Sequence, residues 1–154
     1  MSSFPPAITT PYPSAHPSAR QYEMGPWMTY TATWTTDGSA PTIGNGVCRG
    51  GYRRHGTTLH LRGQLAVGST STVGTGEIRV SIPSGMTSIS THNQILAATW
   101  YDSSAATLYR GVAITQAGAG YLTFQFVDTG PRGISSGLGS GDEIDWTGTF
   151  EITA

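Results

Sequence analysis

The sequence predicts an all-β domain: an antiparallel β-sandwich or jelly-roll-like fold of about eight strands. Three observations carry that prediction. Apolar and polar residues alternate with period two in segment after segment. Turn signals rich in Gly, Pro, Ser and Asp separate those segments. No segment carries a convincing helical period, and no repeat of fixed length recurs.

The clearest strand is 57–67. Leu59, Leu61, Leu65 and Val67 share one parity, with Gly63 completing the row, while His60, Arg62, Gln64 and Ala66 fall on the other. Arg54-His55-Gly56 before it reads as a tight hairpin loop to a strand over 47–54. Paired Gly50 and Gly51 inside that strand mark a bulge or a close backbone approach.

The remaining strands follow in order. Segment 24–36 alternates Tyr30, Ala32 and Trp34 with Thr31, Thr33 and Thr35, residues that fit a pleated, half-buried surface. Segment 76–82 carries Ile78, Val80 and Ile82, and Pro83-Ser84-Gly85 ends it. Segment 93–101 is apolar on both parities, which suits burial on two faces or one face against a partner. Segment 108–116 aligns Leu108, Val112 and Ile114 with Arg110. Segment 121–127 turns Leu122, Phe124 and Phe126 inward. Residues 130–141 form a glycine-rich loop. Segment 143–153 closes the chain with Ile144, Trp146, Gly148, Phe150 and Ile152 on one side.

Residues 1–26 are different. Pro5, Pro6, Pro11, Pro13 and Pro17 favour extended or polyproline II structure, with Tyr12 and Tyr22 between and after them. The expectation is an extended arm lying on a neighbouring subunit, ahead of a domain over 27–154.

Composition narrows function. Only 11% of the 154 residues are charged, against roughly 25% in an average domain. That suits a sheet surface of Thr, Ser and Gln, or a protein packed in an assembly. Net charge is -1, so nothing favours nucleic acid. All basic residues are Arg, which fits GC-rich coding in a bacterium or its virus better than a special demand for guanidinium chemistry. Cys48 is the single cysteine, so no internal disulfide forms, and it reads as a small packed strand residue. No apolar run is long enough to span a membrane. The first residues have neither a basic start nor an apolar stretch, so Sec export is not expected.

Catalytic chemistry is hard to place. A glycoside hydrolase needs two carboxylates flanking one bond. Glu77, Asp102, Asp128 and Glu151 qualify by type alone, and nothing in the local sequence pairs them. His16, His55, His60 and His92 have no ligand spacing, and the GTGE and GLGSGD loops lack the lysine of a phosphate cradle. Asp142, Glu143 and Asp145 form the densest carboxylate run. A calcium site there competes with a plain solvated strand entry, and the second reading is preferred, with no metal or other cofactor expected. The chain is expected not to be an enzyme.

Contact chemistry remains. His60, Arg62 and Gln64 form an outward row. Trp100 and Tyr101 point to opposite faces of one strand, so at least one is expected at a surface or interface. With Tyr12 and Tyr22 of the arm, these seven are the candidate binding residues. Trp34 and Trp146, on alternating rows, are expected in the core.

A run of motifs carries a resemblance. Trp27-x-x-Tyr30-Thr31-x-x-Trp34 is followed by Gly44-Asn45-Gly46, by Gly51-x-Arg53 within GGYRRHG, and by LHLRGQLAVGSTSTVGTGEIRVSIP. Ser140-Gly141-Asp142 then precedes a last strand closing on Gly148-x-Phe150. In this order, over residues 27–154, they resemble a domain of bacteriophage tail and fibre proteins, especially those of viruses of actinobacteria. The resemblance implies a non-enzymatic virion protein with a β-sandwich fold, often trimeric. Its members commonly end longer tail proteins, whereas here a short Pro-rich arm precedes the domain, which also suits a capsid decoration protein. The implied partners are further copies of the chain, expected as a homotrimer, and the major capsid or tail proteins of the same virion. An adhesin binding host-surface carbohydrate is the alternative. The expected location is the virion, assembled in the bacterial cytoplasm.

Overall fold

A computed structural model of the chain describes residues 25–126 and 137–153. Tyr12 and Tyr22, Asp128 and most of the arm lie outside the described residues. Nine strands are present among those described: β1 (Met28–Thr31), β2 (Trp34–Thr36), β3 (Val47–His55), β4 (Thr58–Ala66), β5 (Ile78–Ser81), β6 (Gln94–Asp102), β7 (Thr107–Thr115), β8 (Tyr121–Phe126) and β9 (Glu143–Glu151). They form one sheet in the order β1-β3-β4-β9-β6-β7-β8-β5-β2. Every pairing is antiparallel. The all-β, sandwich-like class expected from the alternation is the class found.

The strand count rises because segment 24–36 is two strands. β1 and β2 are separated only by Ala32 and Thr33, yet they occupy opposite ends of the sheet. The sheet therefore curls until its ends meet. The Ser81 backbone N–H donates to the Thr33 carbonyl at 2.9 Å, and the Tyr30 hydroxyl donates to the Ser81 carbonyl at 3.2 Å. The first bond continues the β2–β5 ladder, and the second carries a β1 side chain across to β5. Tyr30, Ala32 and Trp34 keep one parity through the break, so alternation reads as one strand. What changes there is the hydrogen-bonding partner, from β3 to β5.

The inward rows make the core. Leu59, Leu61 and Leu65 are fully buried, with Val67, Ile78, Val80, Ile82, Leu122, Ile144, Phe150 and Ile152 around them. Each such side chain contributes about 1.5–3 kcal/mol of burial. Leu122, Phe124 and Phe126 turn inward as expected, and so do Trp34 and Trp146.

One inward rung explains several glycines together. Register aligns Tyr30, Gly50, Gly63, Trp146, Ala98, Gly111 and Phe126 across seven strands. Aromatics and residues with little or no side chain share this rung. A Cβ on Gly50 would collide with the Tyr30 ring, one on Gly63 with the Trp146 indole, and one on Gly111 with the Phe126 ring. The rings lie over neighbouring backbone and fill what the glycines leave open. β3 and β4 stay in unbroken register from Val47↔Ala66 to His55↔Thr58. Of the two readings of Gly50-Gly51, close approach is therefore the one that applies, and no bulge is present.

Of the two readings of segment 93–101, burial on both faces does not hold, and for segment 108–116 the structure assigns the rows. Leu96, Ala98 and Trp100 are buried, but Ile95 and Ala97 are exposed, so β6 is buried on one face only. The row holding Leu108, Arg110, Val112 and Ile114 is the outward row of β7, and its inward row is Tyr109, Gly111, Ala113 and Thr115. Apolar character on both parities identified the strands without saying which row faced the core.

Candidate functional site

The outward face is a grid set by strand register. One rung runs Thr31, Arg49, Gln64, Asp145, Thr99, Arg110. The next runs Thr29, Gly51, Arg62, Thr147, Ala97, Val112. Gly51, Ala97 and the threonines are short, so the second rung is low. Longer side chains stand beside and across it. A trough of about 580 Å³ results, with Arg49, Arg62, Gln64 and Asp145 among its walls.

The guanidinium groups in this trough are held in place. Arg62 lies 4.2 Å from the centre of the Trp27 ring, and Arg53 lies 5.0 Å from it. Such cation–π contacts are worth about 0.5–1 kcal/mol at exposed positions. Arg49 Nη2 donates to Gln64 Oε1 at 3.1 Å, and Gln64 Nε2 donates to Glu143 Oε2 at 3.5 Å. Among the described residues both ion pairs belong to Arg79, with Asp37 at 3.4 Å and Glu77 at 3.7 Å. Among the described residues no carboxylate forms an ion pair with Arg49 or Arg62. Asp145 is held above the usual aspartate range, first by desolvation and then by the charge of Glu143, with Gln64 pulling the other way.

The sequence-predicted residues divide across this geometry. Arg62 and Gln64 line the trough. His60 stands two residues along the same row, with Nδ1 2.9 Å from the Thr149 hydroxyl. Tyr101 faces outward at 40% exposure, while Trp100 is buried at 5%. The placing of Trp100 at a contact surface is thus corrected. Its ring stacks on Tyr109 at 4.8 Å and tilts against Phe126, as a core side chain does.

The carboxylate run also resolves. Asp142 is 1% exposed and is not a solvated strand entry. Its carboxylate accepts from the Ser103 N–H at 2.9 Å, the Ser103 hydroxyl at 3.0 Å, the Gly139 N–H at 2.9 Å and the Trp100 indole N–H at 3.4 Å. It ties the approach to β9 onto the β6–β7 loop. Glu143 and Asp145 point to the opposite face. No group of three or more His, Cys, Asp or Glu side chains able to hold a metal ion occurs among the described residues.

Two features escaped sequence reading. Arg49 enters the trough because the β3–β4 hairpin pairs it with Gln64. That register follows from the short loop after His55, so hairpin arithmetic carries the signal. Ile95 and Leu108 are 65% and 57% exposed, and with Tyr101 they put apolar surface on the outward face of β6 and β7. The signal was a strand apolar on both parities.

Comparison with family models, curated proteins and solved structures finds no match to this chain.

Proposed function

We propose that this chain is a non-enzymatic structural protein of a bacteriophage virion surface, a capsid decoration or minor tail component that acts by subunit contacts. The observation that carries this reading is exposed apolar surface at both ends of the outward face of β6 and β7, Tyr101 opposite Leu108 at one end and Ile95 opposite Ile114 at the other. Solvent gains nothing from exposed branched side chains there, and an apolar surface on a weakly charged sheet is what a subunit contact buries. The order of motifs over residues 27–154 supports the virion setting. In this reading the neighbours are further copies of the chain, as a homotrimer, and the capsid or tail proteins. The test is binding of the purified protein to purified capsids and tails. Saturable binding to one of them is expected, weakened when Ile95 and Leu108 become Glu, and absence from both particles overturns the reading.

A second reading, an adhesin for host-surface carbohydrate, is favoured by the trough. Its walls combine hydrogen-bonding side chains with guanidinium groups, and Trp27 keeps 37% of its surface exposed beside it. A glycan array probed with the full chain tests this, with loss of signal expected in Arg62→Ala.

A further inference from the structure

Resting on the adhesin reading, we infer that the trough is a subsite for an acidic saccharide, a hexuronate-type sugar whose single carboxylate is held between Arg49 and Arg62. The volume, about 580 Å³, falls within the roughly 300–1,000 Å³ of ligand sites. Among the side chains lining it, Arg49 and Arg62 are cationic and Asp145 is anionic. Beyond the lining, Glu143 against Gln64 adds a negative charge and Arg53 on Trp27 a positive one, so the charges described around the trough leave one positive in excess. A ligand with one negative charge balances it.

Geometry favours a carboxylate for that charge. Arg49 and Arg62 lie diagonally on paired strands, because Arg49 opposes Gln64 and Arg62 opposes Gly51. Diagonal neighbours sit about 7–8 Å apart, within reach of two long side chains converging on one group. Guanidinium forks match the planar oxygens of a carboxylate. Trp27 under Arg62 and Gln64 beside Arg49 restrict both side chains before any ligand arrives, which lowers the ordering cost of binding. Gly51 and Ala97 leave the floor open for a ring.

The remaining walls call for a polyol. Gln64, Thr99, Thr147 and Asp145 line the trough with hydroxyl and amide groups and one carboxylate. A bare anion would use the arginines, leave these groups unused and be repelled by Asp145. A neutral sugar would use these groups and leave the excess charge. A hexuronate uses both.

The test titrates the isotope-labelled full chain at neutral pH with methyl glucuronide, methyl glucoside and acetate, following backbone amide resonances. The glucuronide is expected to shift Gly51, Ala97 and Thr147 and to bind roughly tenfold more tightly than the glucoside or acetate, as one charge-assisted hydrogen bond allows. Arg49→Ala and Arg62→Ala should each weaken it roughly tenfold. Arg110→Ala, which removes the same charge from the same face outside the trough, should leave binding unchanged. Resonance dispersion in each variant shows that it is folded. Equal binding of glucuronide and glucoside overturns the inference and leaves the adhesin reading standing. Equal binding of acetate reduces the site to an anion site and overturns it. If no saccharide perturbs the trough while the chain still binds virions, the inference and the adhesin reading both fall and the structural role survives.

Discussion

Gly63 and Trp146 face each other across β4 and β9, and the indole occupies the space that a Cβ on residue 63 would need. The same hypothetical Cβ would lie 2.7 Å from the Arg49 carbonyl oxygen. Gly63→Ala must therefore displace a buried ring or a paired strand. It should destabilise the fold by about 1–3 kcal/mol, measured by urea unfolding. The loss should shrink when Trp146 is also replaced by Leu, because the two residues share one space.

Asp142 gives a second prediction. Its buried carboxylate satisfies donors from Trp100, Ser103 and Gly139. Asp142→Ala leaves those donors without their acceptor and should cost about 3 kcal/mol. The near-ultraviolet signal of Trp100 should change with it. A loss within experimental error would mean that the hub contributes nothing.

Asp145 sets a pH dependence. Its carboxyl is held above the usual range by desolvation and by Glu143, so the folded chain keeps this proton to higher pH than the unfolded chain does. Stability from this group is complete below the unfolded value and declines as pH rises through the raised folded value. Asp145→Asn should remove that decline and be more stable than the parent above it. Urea unfolding across a pH series measures both.

Cys48 should be unreactive in the native state. The thiol is buried, and burial pushes it up to about 12, so little thiolate forms at neutral pH. Alkylation by iodoacetamide should be slow in buffer and fast in urea. Fast labelling of the folded chain would contradict the packing of β3 against β4.

How much of this could be read in the sequence depends on what alternation reports. It reports which residues share a face, and so the Leu59–Leu61–Leu65 row, the inward Phe pair of β8 and the inward Trp146 were legible. It is silent on which face meets the core when both rows are apolar, so the outward positions of Ile95 and Leu108 were not. It is equally silent on partners, which hid the division of β1 from β2. The trough needed β9 inserted between β4 and β6, a non-sequential pairing that brings Asp145 beside Gln64. Arg62 and Gln64 were visible as an outward row, but nothing local joined them to a residue eighty positions away along the chain. Asp142 misled for the opposite reason. Next to Glu143 it looked like one more surface acid, yet the parity of β9 turns it away from Glu143 and Asp145.

The proposed role makes the outward face of β6 and β7 a contact surface in a virion. A reconstruction of the virus particle at side-chain resolution tests that most directly. Density for this chain is expected on the capsid or tail, with Ile95, Tyr101 and Leu108 buried against a neighbouring subunit. A particle lacking the chain, or one carrying it with those three side chains open to solvent, would contradict it.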